Sequence, residues 1–172
     1  PTPDFGTFGF SLGVITTSGI SVRDYTGQET GVTSQLMIEA LAGWAINLPF
    51  ENLYAGFNIK VDTQGMEAFS DTGFGSDIGI LYSSAIDKDS SYRAGLVVKN
   101  LIEPMVKMSA VSDTIPRQYI IAGNYSRAID RDIKTSVFLD LYMPVGIDFV
   151  FKAGAEGKFF NIFSVRTGYD SY

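Results

Sequence analysis

Leu53-Tyr54-Ala55-Gly56-Phe57-Asn58-Ile59-Lys60-Val61-Asp62 reads as a β-strand with two unlike faces. Successive side chains of a strand point to opposite sides. Leu53, Ala55, Phe57, Ile59 and Val61 therefore share one face, and Tyr54, Gly56, Asn58, Lys60 and Asp62 share the other. A strand that crosses a bilayer needs about 9 to 11 residues of this kind. The rhythm recurs along the chain in nine segments, approximately residues 8–15, 35–46, 53–62, 74–82, 92–99, 117–125, 133–141, 147–156 and 163–170.

Carried through all nine segments, the alternation gathers an apolar face without a charge. It includes Phe8, Phe10, Leu12, Val14, Ile38, Trp44, Phe74, Ile78, Leu96, Ile121, Leu139, Phe149, Phe151 and Val165. The opposite face carries Glu39, Lys60, Asp77, Arg93, Lys134, Asp140, Asp148, Lys152 and Arg166. Aromatic residues gather near strand ends, with Trp44, Tyr82, Tyr92, Tyr125 and Phe163 toward one side and Phe74, Tyr119 and Tyr169 toward the other. Girdles of that kind flank the apolar band of outer-membrane barrels. The expectation is an all-β, antiparallel, up-and-down transmembrane β-barrel, with residues 1–172 forming one partial barrel domain of nine strands within a larger barrel. Leu53, Phe57, Ile59, Phe149 and Phe151 would then meet lipid, and the charged set would face the lumen. A soluble lipocalin-like, lipid-binding barrel gives the same alternation with its faces exchanged. The apolar set is large and aromatic for the interior of a small barrel.

Composition narrows the function classes. Hydrophobic residues make up 45% of 172 and charged residues 19%, which is too apolar for a disordered chain. Mean hydropathy is +0.12, yet no run of 18 apolar residues forms a transmembrane helix. The net charge of −6 argues against a nucleic-acid partner, because phosphate binding needs clustered Lys and Arg. No Cys and no His are present. Ser triads, Cys dyads and the commonest metal ligands are thereby excluded. Asp140 and Asp148, on neighbouring strands, are the nearest approach to a carboxylate pair, and pairing with Lys134, Lys152 or Arg166 accounts for them. Asp77, Arg93 and Lys60 suggest a cross-strand charge ladder. The Asp87-Lys88-Asp89 turn offers a weak calcium motif. The reading is non-enzymatic, without cofactor or metal. Residues 1–15 lack the basic and apolar regions of a signal peptide, so the sequence reads as a processed or truncated chain.

Short turns around Pro49, Asp87–Asp89, Asp130–Asp132 and Gly157–Ile162 alternate with longer connections at residues 16–34, 63–73 and 100–116. Such asymmetry is usual in outer-membrane barrels. The 100–116 segment is the candidate partner loop. Leu101, Ile102, Met105, Val106, Met108, Val111 and Ile115 give it an adaptable apolar surface. It either contacts a partner, folds over the barrel mouth or extends the strands beyond the membrane.

Asp77-Ile78-Gly79-Ile80-Leu81-Tyr82, Arg93-Ala94-Gly95-Leu96-Val97-Val98-Lys99-Asn100-Leu101, Pro116-Arg117-Gln118-Tyr119 and Arg166-Thr167-Gly168-Tyr169 occur in this order. The series resembles PorV/PorQ-type outer-membrane proteins, which are similar to FadL-type transporters. That resemblance implies an outer-membrane location. It also implies a role either as a platform for other outer-membrane or surface proteins or as a transporter of a hydrophobic small molecule, with membrane lipid as the surrounding partner. The early strands and plug segment of FadL-type proteins have no counterpart here.

Overall fold

The computed structural model describes residues 5–66, 69–107, 112–160 and 162–171. The fold is all-β. The strands are β1 (Thr7–Arg23), β2 (Glu29–Asn47), β3 (Leu53–Met66), β4 (Phe69–Ala85), β5 (Ser90–Ile102), β6 (Met105–Val106), β7 (Asp113–Thr114), β8 (Gln118–Ala128), β9 (Ile133–Pro144), β10 (Val150–Phe159) and β11 (Phe163–Asp170). Nine of them form one antiparallel sheet in the order β1-β2-β3-β4-β5-β8-β9-β10-β11, and β6 pairs with β7 separately. The sheet is open: β1 and β11 are its two edges. Consecutive strands of this sheet are neighbours in space, and all their connections except the one from β5 to β8, which contains β6 and β7, are too short for parallel crossovers.

The register keeps the two faces apart across the whole sheet, since directly paired residues lie on the same side. One row runs Phe8, Trp44, Phe57, Ile78, Val98, Tyr119, Met143. Another runs Ala55, Ile80, Leu96, Ile121, Leu141, Phe151. Phe8 stacks on Trp44, whose other side meets Phe57 edge-on, and Tyr82 lies against Tyr92. The polar face is rich in glycine, with Gly9, Gly43, Gly56, Gly79, Gly154 and Gly168 on it.

No second layer covers the apolar face among the described residues. Phe10 is 86% exposed, and Leu12, Phe74 and Val165 are also largely exposed. The accessible surface is 12210 Å². A compact globular protein of this mass exposes about 8,300 Å². Apolar side chains buried by packing of the chain on itself are correspondingly few among the described residues, chiefly Val106, Val150 and Pro104.

Several expectations need correction. Residues 16–34 are not a loop: β1 continues to Arg23 and β2 begins at Glu29. Residues 63–66 and 69–73 likewise lengthen β3 and β4. Strong Thr, Ile and Val content lets a polar strand extend past the point where apolar alternation stops. The lengthened β8 brings Arg127, paired with Thr135, onto the end of the apolar face. Asp148 and Phe149 lie in the connection before β10, which begins at Val150, so neither belongs to a strand face. The Pro144-to-Gly146 turn, with Gly146 at φ 82, delays the strand by three residues relative to the expected start at 147.

Candidate functional site

The most constructed part of the molecule is the polar face of β3 and β4 where residues 103–107 and 112–117 fold across it. We refer to this segment as the strap. It originates in a break of pairing. Ile78 pairs with Val98 and Ser76 with Ile102, so Asp77 faces three residues of β5, Lys99 to Leu101. Such a bulge bends its strand and re-aims side chains. Asn100 sits within it at φ 54, a left-handed conformation that Asn tolerates better than most residues.

Asp77 closes the bulge. Its Oδ1 accepts the Asn100 amide at 2.8 Å and the Lys60 ammonium at 2.9 Å. The side chains of Lys60 and Asp77 are only 3% and 5% exposed. Asn100 Nδ2 donates to the Pro116 carbonyl at 2.8 Å, tying the two ends of the strap. Glu103 Oε1 accepts the Arg117 amide at 3.1 Å, and the Arg117 guanidinium donates to the Leu101 carbonyl at 3.0 Å. Lys107 N–H donates to Asp71 Oδ2 on β4 at 2.5 Å. Within the strap, the Ile115 amide donates to the Pro104 carbonyl at 2.9 Å.

Two glycines make the docking possible. A Cβ on Gly73 would stand 2.9 Å from the Met105 carbonyl, and one on Gly75 would stand 2.6 Å from Pro104 Cγ and 2.9 Å from Lys60 Cε. Pro104 and Val106 are thereby buried on the sheet. Elsewhere on the polar face lies a cleft of about 590 Å³, floored by Gly9, Gly43, Gly56 and Gly79 and lined also by Tyr54, Asp77 and Leu81.

Of the charged residues expected together, Lys60 and Asp77 meet. Arg93 does not join them; it pairs in register with Ser83 and Asn124 and is exposed. Asp140 stands opposite Lys152, not beside Asp148. Lys152 binds Asp170 at 2.8 Å and lies over the Tyr142 ring. Arg166 pairs with Glu156. Lys134 faces Lys158 and lies across from Ala128. Glu39 is directly opposite Asp62. In the Asp87 turn, Oδ1 accepts the Asp89 amide at 2.8 Å, and that bond holds the Asp87 carboxyl below its usual range.

The expected partner loop divides. Val106 is buried under the strap's own fold, whereas Leu101, Ile102 and Met105 are exposed, with Ile102 paired to Ser76 on the apolar side. Met108 and Val111 lie outside the described residues. The roles of Asn100, Pro104, Glu103 and Asp62 escaped the sequence reading. The only hint was Asp62 at the end of the opening strand; the rest depends on register and on a bulge that alternation does not reveal.

The fold defines an open, single-layer antiparallel wall, apolar on one side and polar with a docked strap on the other. The family described as "F plasmid transfer operon, TraF, protein" matches residues 38–143, more than half of the chain, and the chain belongs to that family. No curated protein matches. The family match overturns the PorV/PorQ and FadL-type resemblance, and with it the secretion-platform and hydrophobic-ligand-transport roles that it implied. The stretches that carried it are strand patterns that any two-faced β-wall produces. The lipocalin-like alternative has no support either, because this sheet does not close.

Proposed function

We propose that this chain is a membrane-embedded wall element of a plasmid-transfer apparatus, seated in a bacterial outer membrane. Its apolar face lies on lipid and its polar face, with the strap, looks into a barrel interior. Leu53, Phe57, Ile59 and Phe151 belong to the lipid side; Glu39, Lys60, Asp77, Arg93, Lys134, Asp140, Lys152 and Arg166 belong to the interior. The role is structural, not catalytic, and its partners are membrane lipid and other proteins of the transfer assembly.

The observation that carries this reading is the uncovered apolar face, continuous in register across nine strands and, among the described residues, charged only at its margins, by Arg127 at the end of β8 and the Arg23–Glu29 pair at the tip of β1 and β2. In water, such a surface far exceeds the few hundred Å² of contiguous apolar patch found on soluble monomers. Within a membrane, a sheet survives where its backbone groups are paired, as in a closed barrel. The family description supplies the process.

Trp44 is the single tryptophan of the chain and lies on the apolar face. In bilayers containing brominated phospholipids its fluorescence is expected to be strongly quenched, while bromide ions in the aqueous phase quench it little. In donor cells, deletion of the gene is expected to lower plasmid transfer without loss of the plasmid. Quenching by aqueous bromide alone would remove the membrane assignment; undiminished transfer would remove the process.

A further inference from the structure

We infer that the polar face holds a divalent-cation site beneath the strap, built from Glu39, Asp62 and Gln64. Glu39 on β2 and Asp62 on β3 are directly paired in register, so two carboxylates stand side by side on one face. Like charges placed directly opposite each other destabilise a sheet. Asp62 is 8% exposed, and its Oδ2 has no hydrogen-bond partner among the described residues. A buried carboxylate oxygen without a donor is costly. Lys60, the nearest cation along the strand, is held by Asp77 at 2.9 Å.

The two carboxylates border a cavity of about 260 Å³ together with Gly13, Met37, Gln64 and Ile115. Gln64 follows Asp62 by two residues and so lies on the same face. Ile115 belongs to the strap, which makes the strap part of the cavity wall. The donor set is oxygen only: two carboxylates and an amide carbonyl. Hard cations of the calcium and magnesium class take such ligands, and magnesium commonly binds through one or two carboxylates while keeping several waters. The cavity has room for a partly hydrated ion. A bound cation would neutralise the Glu39–Asp62 repulsion and give the orphaned oxygen its partner.

The test uses the full-length protein in detergent micelles, titrated separately with Ca²⁺ and Mg²⁺ by calorimetry and by thermal unfolding. Saturable binding of at least one ion is expected, with a rise in unfolding temperature. Asp62→Asn and Glu39→Gln should each weaken that binding about tenfold or more, because each removes one charged ligand. Without added cation, Asp62→Asn should unfold no lower than wild type, since it relieves a buried charge. Asp87→Asn, in an exposed turn, should bind as wild type does. No saturable response to either ion would overturn the proposal. So would undiminished binding in both site variants, or a stability that responds only to pH, which would indicate a proton shared between the two carboxylates. If Asp62→Asn fails to fold, Glu39→Gln and the wild-type titration still decide.

Discussion

At the scale of single residues, Lys60 and Asp77 have the largest individual consequences. Each is almost wholly buried, and Asp77 also satisfies the Asn100 amide inside the bulge. Asp77→Ala leaves a buried ammonium unpaired and an amide without an acceptor, a change worth about 3 to 5 kcal/mol. Replacing both partners, Lys60→Met with Asp77→Leu, is expected to cost less than Asp77→Ala alone. Chemical denaturation of the three proteins in micelles checks this ordering, and a double variant less stable than the single one would refute it. The two faces differ at the same scale. Phe57→Arg places a charge on the apolar side, where it meets hydrocarbon under the proposed function, at about 2 to 4 kcal/mol. Asn58→Arg, one residue on, points toward Asp77 and the open cleft and should be mild. Equal losses in bilayer refolding titrations would mean that both faces meet the same medium.

At the scale of elements, the strap and the β1–β2 tip behave differently. The strap lies on glycine: a methyl group at Gly73 collides with Met105 backbone, which a side-chain rotation cannot relieve. Gly73→Ala is therefore expected to destabilise by about 1 to 3 kcal/mol and to speed proteolytic cutting within residues 103–117, while cutting elsewhere is unchanged. Unaltered cutting would show that the strap is not held there. Beyond the Gln35–Met66 pair, β1 and β2 continue as a two-stranded ribbon with no third strand among the described residues. A bare ribbon is marginal in water, and its tip is held by Asp24, whose Oδ1 accepts the Thr26 hydroxyl at 2.6 Å and the Thr26 and Gln28 amides. Led by the Thr26 hydroxyl bond, these contacts lower the Asp24 pKa. The contribution is complete above the unfolded value of about 3.9 and is lost as pH falls through the lowered folded value. Amide exchange at Thr26 and Gln28 should therefore accelerate in acid, beyond the intrinsic pH dependence, in wild type but not in Asp24→Asn. The strands were legible in the sequence because each one repeats a period of two over many residues. The ribbon was not, because Thr17, Ile20, Val22, Val32 and Thr33 carry strand propensity while Ser18, Gly19, Ser21 and Gly31 interrupt the apolar alternation. The strap escaped because the Asp77–Asn100 contact depends on a local slip in register.

At the scale of the whole molecule, strand direction limits how the wall can be completed. The sheet has nine antiparallel strands, so its edges β1 and β11 run the same way. Joining them directly would make a parallel pair, whereas every pairing in this sheet is antiparallel. An all-antiparallel barrel therefore requires an odd number of additional strands between β11 and β1, which brings the total to an even number, as in bacterial barrels. The separation of two faces extends across the sheet because register carries it from Phe8 to Tyr169, with Asp148 and Phe149 left outside it in the connection before β10. Closure was not legible, because alternation within a strand says nothing about what lies beside the edge. The chain contains no Cys, so introduced thiols report without background. Phe10→Cys with Ala42→Cys, paired across β1 and β2, should form a disulfide on mild oxidation in native membranes. Phe10→Cys with Val165→Cys, on the two edge strands, should not, because intervening strands hold their Cα atoms well beyond the roughly 7 Å that a disulfide spans. An efficient intramolecular disulfide in the second pair would mean that β1 and β11 touch, and that the wall closes on itself through a parallel seam.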